Sequence, residues 1–515
     1  MAASQSRRWW ALGAITLAVL VITLDVTVLT VALPTLAGAL NASASDLQWF
    51  VTAYTLALVA GMLPAGLLGD RYGRKVVMIG ALVLFAVGSI GCAVAPSPGS
   101  FIAARVVLGL AGAARIVIAL SIVTVLFDEA ERPRAIGIWG AANFIGLPLG
   151  PILGGWMLTH IWWGWIFLMN VPVAAIALIA VIALVPESRS ARRPSIDGVG
   201  VLLSSTGLVG FMYGLVQAGD YGWGSSNAVV PSVIGLVVLA AFVLWERRLA
   251  AQPDGQPLVD LSLFRSRAFT WGIVLTALGV FGLFGVLFAL PQYFQAIMDL
   301  DPQGSGFRLL PVIAGLIAGA VLADRVAQRL GVKLTVAAGF AVMGVGLAIG
   351  TGMTATSGDG FIALWTVIAG AGAGLVFATA ASSALVELSA ERSGVGSALL
   401  QVIVKLGPAF GATILGSIVN ATYQAHLSLA GLPADAVAAV QASVFSGLAI
   451  AHQLDSAQLI GSVQAAFVAG VDDGVRTAAI VAGAGVVLAL LFMPSRHPAL
   501  ETANAPFEAS PVPVR

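Results

Sequence analysis

Asp25 is the only carboxylate lying deep within a long apolar stretch of this 515-residue chain. An acid in a membrane interior is costly, and it is retained for ion pathways, proton relays or paired charges. Burial disfavours its charged form and a nearby cation favours it, so the two effects together can bring protonation into the working pH range. A structural ion pair is the plainer reading. Arg105, Arg115 and Lys405 are basic residues in similarly apolar surroundings. Arg105, Gly109 and Gly112 follow spacings of four and three, which puts them on one helix face. The glycines permit close packing, so Arg105 should face the protein interior. Arg115 falls about 80° from that face at 100° per residue, and Lys405 shares a face with Gln401 and Pro408. No Walker-type loop is present, so ATP is not the expected energy source. None of the four histidines has zinc-type spacing, and Cys92 is the only cysteine. A disulfide within the chain and a Cys-based metal site are therefore excluded, and neither catalysis, a metal nor a cofactor is expected.

The elements that hold these residues are membrane spans. The chain is 59% hydrophobic and 10% charged, against about 25% charged for a soluble domain. Windows of about 20 apolar residues predict fourteen spans, near 10–34, 47–69, 75–95, 101–127, 134–158, 163–185, 198–217, 228–246, 268–298, 306–327, 332–353, 359–385, 393–420 and 474–493. Arg7 and Arg8 precede an apolar run, Trp9 to Leu33, too long for a cleaved signal. Lys and Arg gather in alternate loops, at Arg71/Arg74/Lys75, Arg132/Arg134, Arg189/Arg192/Arg193, Arg247/Arg248/Arg265/Arg267, Arg325/Arg329/Lys333, Arg392 and Arg496/Arg515. Such loops are cytoplasmic, which puts both termini inside the cell. The opposite side carries only Arg308 and Arg476, each beside a span end, and 421–471 has no Lys or Arg at all. That segment should be an extracellular loop holding a short helix.

An internal repeat divides the spans. FIAAR at Phe101–Arg105 recurs as FIALW at Phe361–Trp365, and the same gapless offset of 260 pairs Gly112 with Gly372 and Pro148 with Pro408. Ala32-Leu33-Pro34 recurs as Ala289-Leu290-Pro291, and GLLGDRYGRK (Gly66–Lys75) has a degraded echo at Gly319–Gly331. Two six-span halves in the same orientation follow, with a substrate path at their interface. The expected divisions are 1–190 for the first half, 191–262 for two inserted spans and a linker, 263–496 for the second half, and 497–515 for a disordered cytoplasmic tail.

Four motifs resemble the major facilitator superfamily, and within it the fourteen-span drug:proton antiporter family. GLLGDRYGRK is similar to the superfamily's loop between spans two and three. Gly66, Asp70, Arg71, Gly73, Arg74 and Lys75 match it, and the resemblance implies a conformational latch, for which Asp70 with Arg134 is the candidate pair. LDVTVLTVALP (Leu24–Pro34) is similar to the family's first span. Arg105 with its glycine face resembles the fourth-span motif, although Leu108 stands where a Gln is usual. Asp25 and Arg105 both fall in the outer half of their spans, so they are expected to pair and to carry proton coupling. GLPLGPILGG fits the antiporter motif through Gly146, Gly150, Pro151, Gly154 and Gly155; in the family it accompanies export. WWGWIFLMNVP (Trp162–Pro172) resembles the approach to span six, with Gly164 replacing an Arg.

The resemblance implies an all-α membrane protein of the major facilitator fold, working as a proton-coupled exporter of lipophilic drugs or antibiotics. The alternative is a carrier for an organic anion, lipid or other metabolite. Expected partners are a lipophilic small molecule, protons and the bilayer, with no nucleic acid, and the chain should act as a monomer in the cytoplasmic membrane. Candidate substrate-binding residues are Arg115, Asn143, Phe284, Gln401 and Lys405. Trp49, Tyr54, Phe144, Phe281, Phe288, Gln292, Tyr293 and Gln295 are further wall candidates. Extra bases rather than extra acids suggest anionic or neutral substrates.

Overall fold

The computed structural model describes residues 5–494 except 43, 129–130, 191–195, 253–254, 387–392, 430–431 and 433. The tail 497–515 lies outside the described residues, as do Arg192, Arg193 and Arg392. All described secondary structure is helical. The first half comprises α1 (Gln5–Ala39), α2 (Ala44–Tyr72), α3 (Arg74–Ala93), α4 (Pro98–Leu126), α5 (Arg132–His160), α6 (Trp165–Leu168) and α7 (Asn170–Leu184). An inserted pair follows, α8 (Gly198–Tyr221) and α9 (Ser226–Ala250). The second half holds α10 (Arg267–Ala296), α11 (Pro302–Arg308), α12 (Leu310–Gly350), α13 (Asp359–Val386) and α14 (Ser393–His426). It closes with α15 (Ala434–Ala442), α16 (Val444–Gln453) and α17 (Ala457–Phe492).

Among the described residues, twelve helical stretches are long and apolar enough to cross a membrane. One of them, Gln303–Gly350, contains two arms. A straight helix of 41 residues would be about 60 Å long, twice the hydrocarbon thickness. Gly331 breaks it with φ 81 and ψ 162, values outside the helical region. Both arms then pack on α13. Gly315 and Gly319 lie against the carbonyls of Val367 and Ala371, while Gly339 lies against that of Gly372. The second arm therefore folds back along the first.

One apolar core joins the first half and α8–α9 to parts of α10, α13 and α14, and a second lies within the second half. The same helix crossing recurs in both halves. Gly146, Gly150 and Gly154 of α5 lie on Thr23, Thr27 and Val28 of α1. Gly407 and Gly411 of α14 lie on Ala277 and Phe281 of α10. Small residues spaced by four let two backbones approach closely.

The inserted α8 fills the seam between the halves. Ser205 Oγ donates to the Ala60 carbonyl of α2 at 2.8 Å. The Thr413 hydroxyl of α14 donates to the Leu215 carbonyl at 3.3 Å, and Trp223 Nε1 donates to Ser417 Oγ at 3.2 Å.

The span near 163–185 is present as Trp165–Leu184, with Met169 between α6 and α7 keeping helical φ and ψ of −58 and −24. Other expectations need correction. The last span starts at Ala457 rather than near residue 474, and α14 runs on to His426. Helix outlasts the apolar window there because α14 and α17 pack on α15 and α16: the buried Tyr423 hydroxyl donates to the Val440 carbonyl at 2.8 Å. The segment 421–471 thus has two short helices between the ends of two long ones. The isolated basic residues Arg308 and Arg476 are both paired, Arg308 with Asp359 at 2.7 Å and Arg476 with Asp472 at 2.6 Å.

Candidate functional site

Asp25 on α1 and Arg105 on α4 form a buried ion pair, with Nη1 and Oδ2 2.5 Å apart. Arg105 is held from three directions. Its Nε donates to the Phe50 carbonyl at 2.9 Å, and its guanidinium lies 4.4 Å from the centre of the Tyr54 ring. The α4 glycine face makes this possible: Gly109 lies against the Tyr54 carbonyl and Ala57, and Gly112 against the Tyr54 hydroxyl. The other oxygen of Asp25 accepts from Asn170 Nδ2 at 3.1 Å, and that nitrogen also faces Ser89 Oγ at 3.4 Å. A carboxylate with both oxygens satisfied and a guanidinium with a backbone partner compensate much of each other's desolvation.

A cavity of about 370 Å³ lies between the halves. That volume is within the usual range for small-molecule sites, about 300–1,000 Å³. Its walls come from α1, α2, α4, α5, α8, α10, α13 and α14, and they are mostly apolar, with Trp139, Phe284 and Phe377 as the aromatic surfaces. The polar lining consists of Thr23, Thr27, Tyr54, Thr55, Gln401 and Lys405 besides the Trp139 indole. Tyr54 thus has two faces in use, with one side in the cavity wall and its ring against Arg105. A second, separate cavity, about 740 Å³, lies along α8, α10 and α14 toward α15 and α16, with Phe288, Gln292 and Tyr423 in its wall.

The loop between α2 and α3 joins the halves at one end of the bundle. Asp70 Oδ1 is 2.7 Å from Arg74 Nη2, and both side chains are buried. Its Oδ2 accepts from the Val395 backbone N–H at 3.1 Å, in the first turn of α14. A carboxylate there meets both an unsatisfied donor and the positive end of the helix dipole. Asp70 is therefore paired with Arg74, not Arg134, whose guanidinium instead lies 4.9 Å from the Trp9 ring centre. The reason is Gly73: its φ of 114, a conformation L side chains rarely adopt, turns the chain so that Arg74 folds back on Asp70. The strand of chain after α7 caps this turn. Arg74 N donates to the Ser188 carbonyl, Ser190 N donates to the Asp70 carbonyl, and Lys75 N donates to Glu187.

The Major Facilitator Superfamily profile matches residues 15–412. The multidrug efflux pump LfrA of Mycolicibacterium smegmatis is 32% identical over 494 residues, 94% of this chain and 95% of its own. The tetracenomycin C resistance and export protein of Streptomyces glaucescens is 31% identical, covering 80% of this chain and 76% of its own. The chain belongs to the major facilitator superfamily. It is a multi-pass membrane transporter, not an enzyme. Its fold is similar to that of the human organic anion transporter MFSD10, with a TM-score of 0.60 at 15% identity over 94% of this chain and 99% of the other. The proton:xylose symporter XylE gives 0.59 at 13% identity over 96% and 97%.

Within that superfamily fold, Phe284, Gln401 and Lys405 line the central cavity. Arg115 does not line it. Its guanidinium stacks 3.9 Å from the Phe85 ring centre, whereas its sequence neighbour Ile116 is a lining residue. The side chains of Asn143 and Phe144 lie outside the described residues. Gly66 is buried and Arg71 lies 5.6 Å from the Tyr72 ring centre. Tyr293 donates to the Thr354 carbonyl at 2.6 Å, and Trp49 stacks on Tyr213. Asn170 was missed as a site residue, although it is the single carboxamide in its apolar run and that was the available signal. Glu187 and Ser188 gave none, since only the fold brings them to the loop.

The α1–α5 crossing supports a direct prediction. A Cβ at Gly150 would overlap Thr27, whose hydroxyl also donates toward the Gly146 carbonyl at 3.1 Å, whereas one at Gly155 would meet open space. Overpacking typically costs about 1–3 kcal/mol. Gly150→Leu should therefore cut the yield of monodisperse protein several-fold in size-exclusion chromatography, and Gly155→Leu should leave it unchanged. Equal yields would show that the crossing tolerates separation.

Proposed function

We propose that the chain exports lipophilic drugs or antibiotics across the cytoplasmic membrane in exchange for protons. The observation that carries this is the placement of the Asp25–Arg105 pair directly behind Tyr54, which is also cavity wall. Proton binding to Asp25 weakens its hold on Arg105, and Arg105 lies on the ring that substrate would touch. Each ligand thereby acts on the other's site, and a carrier needs such differential binding for exchange. The names of LfrA and the tetracenomycin protein as efflux and export proteins support the outward direction. The Gly146–Gly155 motif supports it as well.

In this reading the protein crosses the membrane fourteen times. The twelve candidate stretches are joined by α5, with the two α12 arms counted separately. Both termini are cytoplasmic, and the Asp70 contact with α14 closes the cytoplasmic end. The two halves rock about the central cavity, and no cofactor is used, the proton gradient being the energy source.

Inverted vesicles test this. Adding a transported drug to vesicles with an imposed pH gradient should speed proton release from the lumen, and collapsing the gradient should stop drug accumulation. Accumulation indifferent to the gradient would remove proton exchange from the proposal.

A further inference from the structure

We propose that the central cavity selects lipophilic anions, and that Lys405 is the residue that selects them. This rests on the export reading and names the substrate class of the same site. Among the described residues, Lys405 is the one charged residue lining the cavity, and no acidic residue lines it. The acid nearest in chemistry, Asp25, is already held by Arg105 and Asn170. Among the described residues no carboxylate lies within ion-pair distance of Lys405.

The rest of the lining agrees in sign. Gln401 lies one turn before Lys405 on α14, and the hydroxyls of Thr23, Thr55 and Tyr54 complete the polar set. All of these can donate to an oxyanion. One residue before the lining Ile116 in α4, the buried Arg115 adds a second positive charge. Its Nε and Nη1 lack hydrogen-bond partners, and its guanidinium stacks on the Phe85 ring. Protonation of Asp25 would leave Arg105 uncompensated as well. In a low-dielectric site these charges are weakly screened. A lipophilic cation would enter against them, whereas a flat apolar molecule with one carboxylate or phenolate would place its ring on Phe284 and Phe377 and its charge on Lys405.

The test uses two dyes with the same tricyclic xanthene skeleton and opposite charge, fluorescein and rhodamine 6G. Binding to purified protein in nanodiscs is read by fluorescence anisotropy and needs no gradient. Wild type should bind the anion about tenfold or more tightly than the cation, the scale of a close charge pair. Lys405→Gln should bring the two affinities together, Lys405→Arg should keep the preference and Lys405→Glu should reverse it. Equal affinity in wild type, a ratio unaltered by Lys405→Gln, or failure to bind either dye would overturn the assignment. The export reading is judged separately in vesicles: gradient-independent export of fluorescein with the binding preference intact would overturn that reading and leave Lys405's role standing.

Discussion

Asp25→Asn is expected to lower gradient-driven export about tenfold or more while substrate binding and gradient-free exchange of substrate for substrate persist. The argument runs through the partners of Asp25. Asparagine has nearly the same shape, so its oxygen can still accept from Asn170 or Arg105, but it cannot bind and release a proton. If Asp25 is the coupling acid, the variant loses the driven step and retains the passive one. The substitution also leaves Arg105 buried without its counter-charge, and removing one partner of a buried pair typically costs about 3–5 kcal/mol. Reduced yield alone is therefore not diagnostic, and Asp25→Asn with Arg105→Gln removes both charges together. The double variant should recover yield without recovering driven export. Arg105→Lys should be impaired too, because an ammonium cannot reproduce the guanidinium's simultaneous contacts to Phe50, Asp25 and the Tyr54 face. Driven export persisting in Asp25→Asn with its full dependence on the pH gradient would sink the assignment. A purely structural pair predicts instead that all transport modes fall together with yield, and that the double variant rescues all of them.

The parts of this site that were legible in the amino-acid order are those set by local geometry. Spacings of three and four on a helix define a face whatever surrounds it, so the glycines beside Arg105 and those from Gly146 to Gly154 could be read as packing surfaces. Span direction, inferred from the basic loops, placed Asp25 and Arg105 at the same depth, and the structure sets them 2.5 Å apart. Contacts that depend on a backbone turn or on a distant segment were not legible. Asp70 finds Arg74 because Gly73 breaks the helix between them with positive φ, and it finds Val395 only because the halves close. The inserted α8 had no counterpart in the repeat, so nothing in the pattern placed it in the seam, where Met212 and Val216 are cavity wall. Arg115 and Lys405 looked alike as bases in apolar runs. They differ because Phe85 covers one and the other stands at the boundary between the halves, a distinction made by tertiary packing alone.

The second large effect is expected at Asp70. Asp70→Asn should reduce transport about tenfold without loss of expression, by shifting the population away from the form in which the halves meet at this end. The carboxylate joins Arg74 at 2.7 Å to the Val395 N–H at 3.1 Å. Asparagine keeps an acceptor but removes the charge from a buried guanidinium and from a helix N-terminus. The helix-end interaction alone contributes about 0.3–2 kcal/mol, and about 1.4 kcal/mol moves a two-state equilibrium tenfold. The shift can be read directly at the seam, where Gly137 lies against the Ala320 carbonyl and Gly140 against the Phe377 ring. In a Cys92→Ala background, a cysteine introduced by Ala320→Cys is buried while the seam is shut, and Asp70→Asn should speed its reaction with a membrane-permeant maleimide. Arg134→Gln separates this from the pairing suggested by sequence, because Arg134 stacks on Trp9 and holds neither Asp70 nor α14. It should leave transport and labelling close to wild type. Normal transport in Asp70→Asn, or labelling that follows Arg134 rather than Asp70, would show that the contact between the loop and α14 is incidental to the cycle.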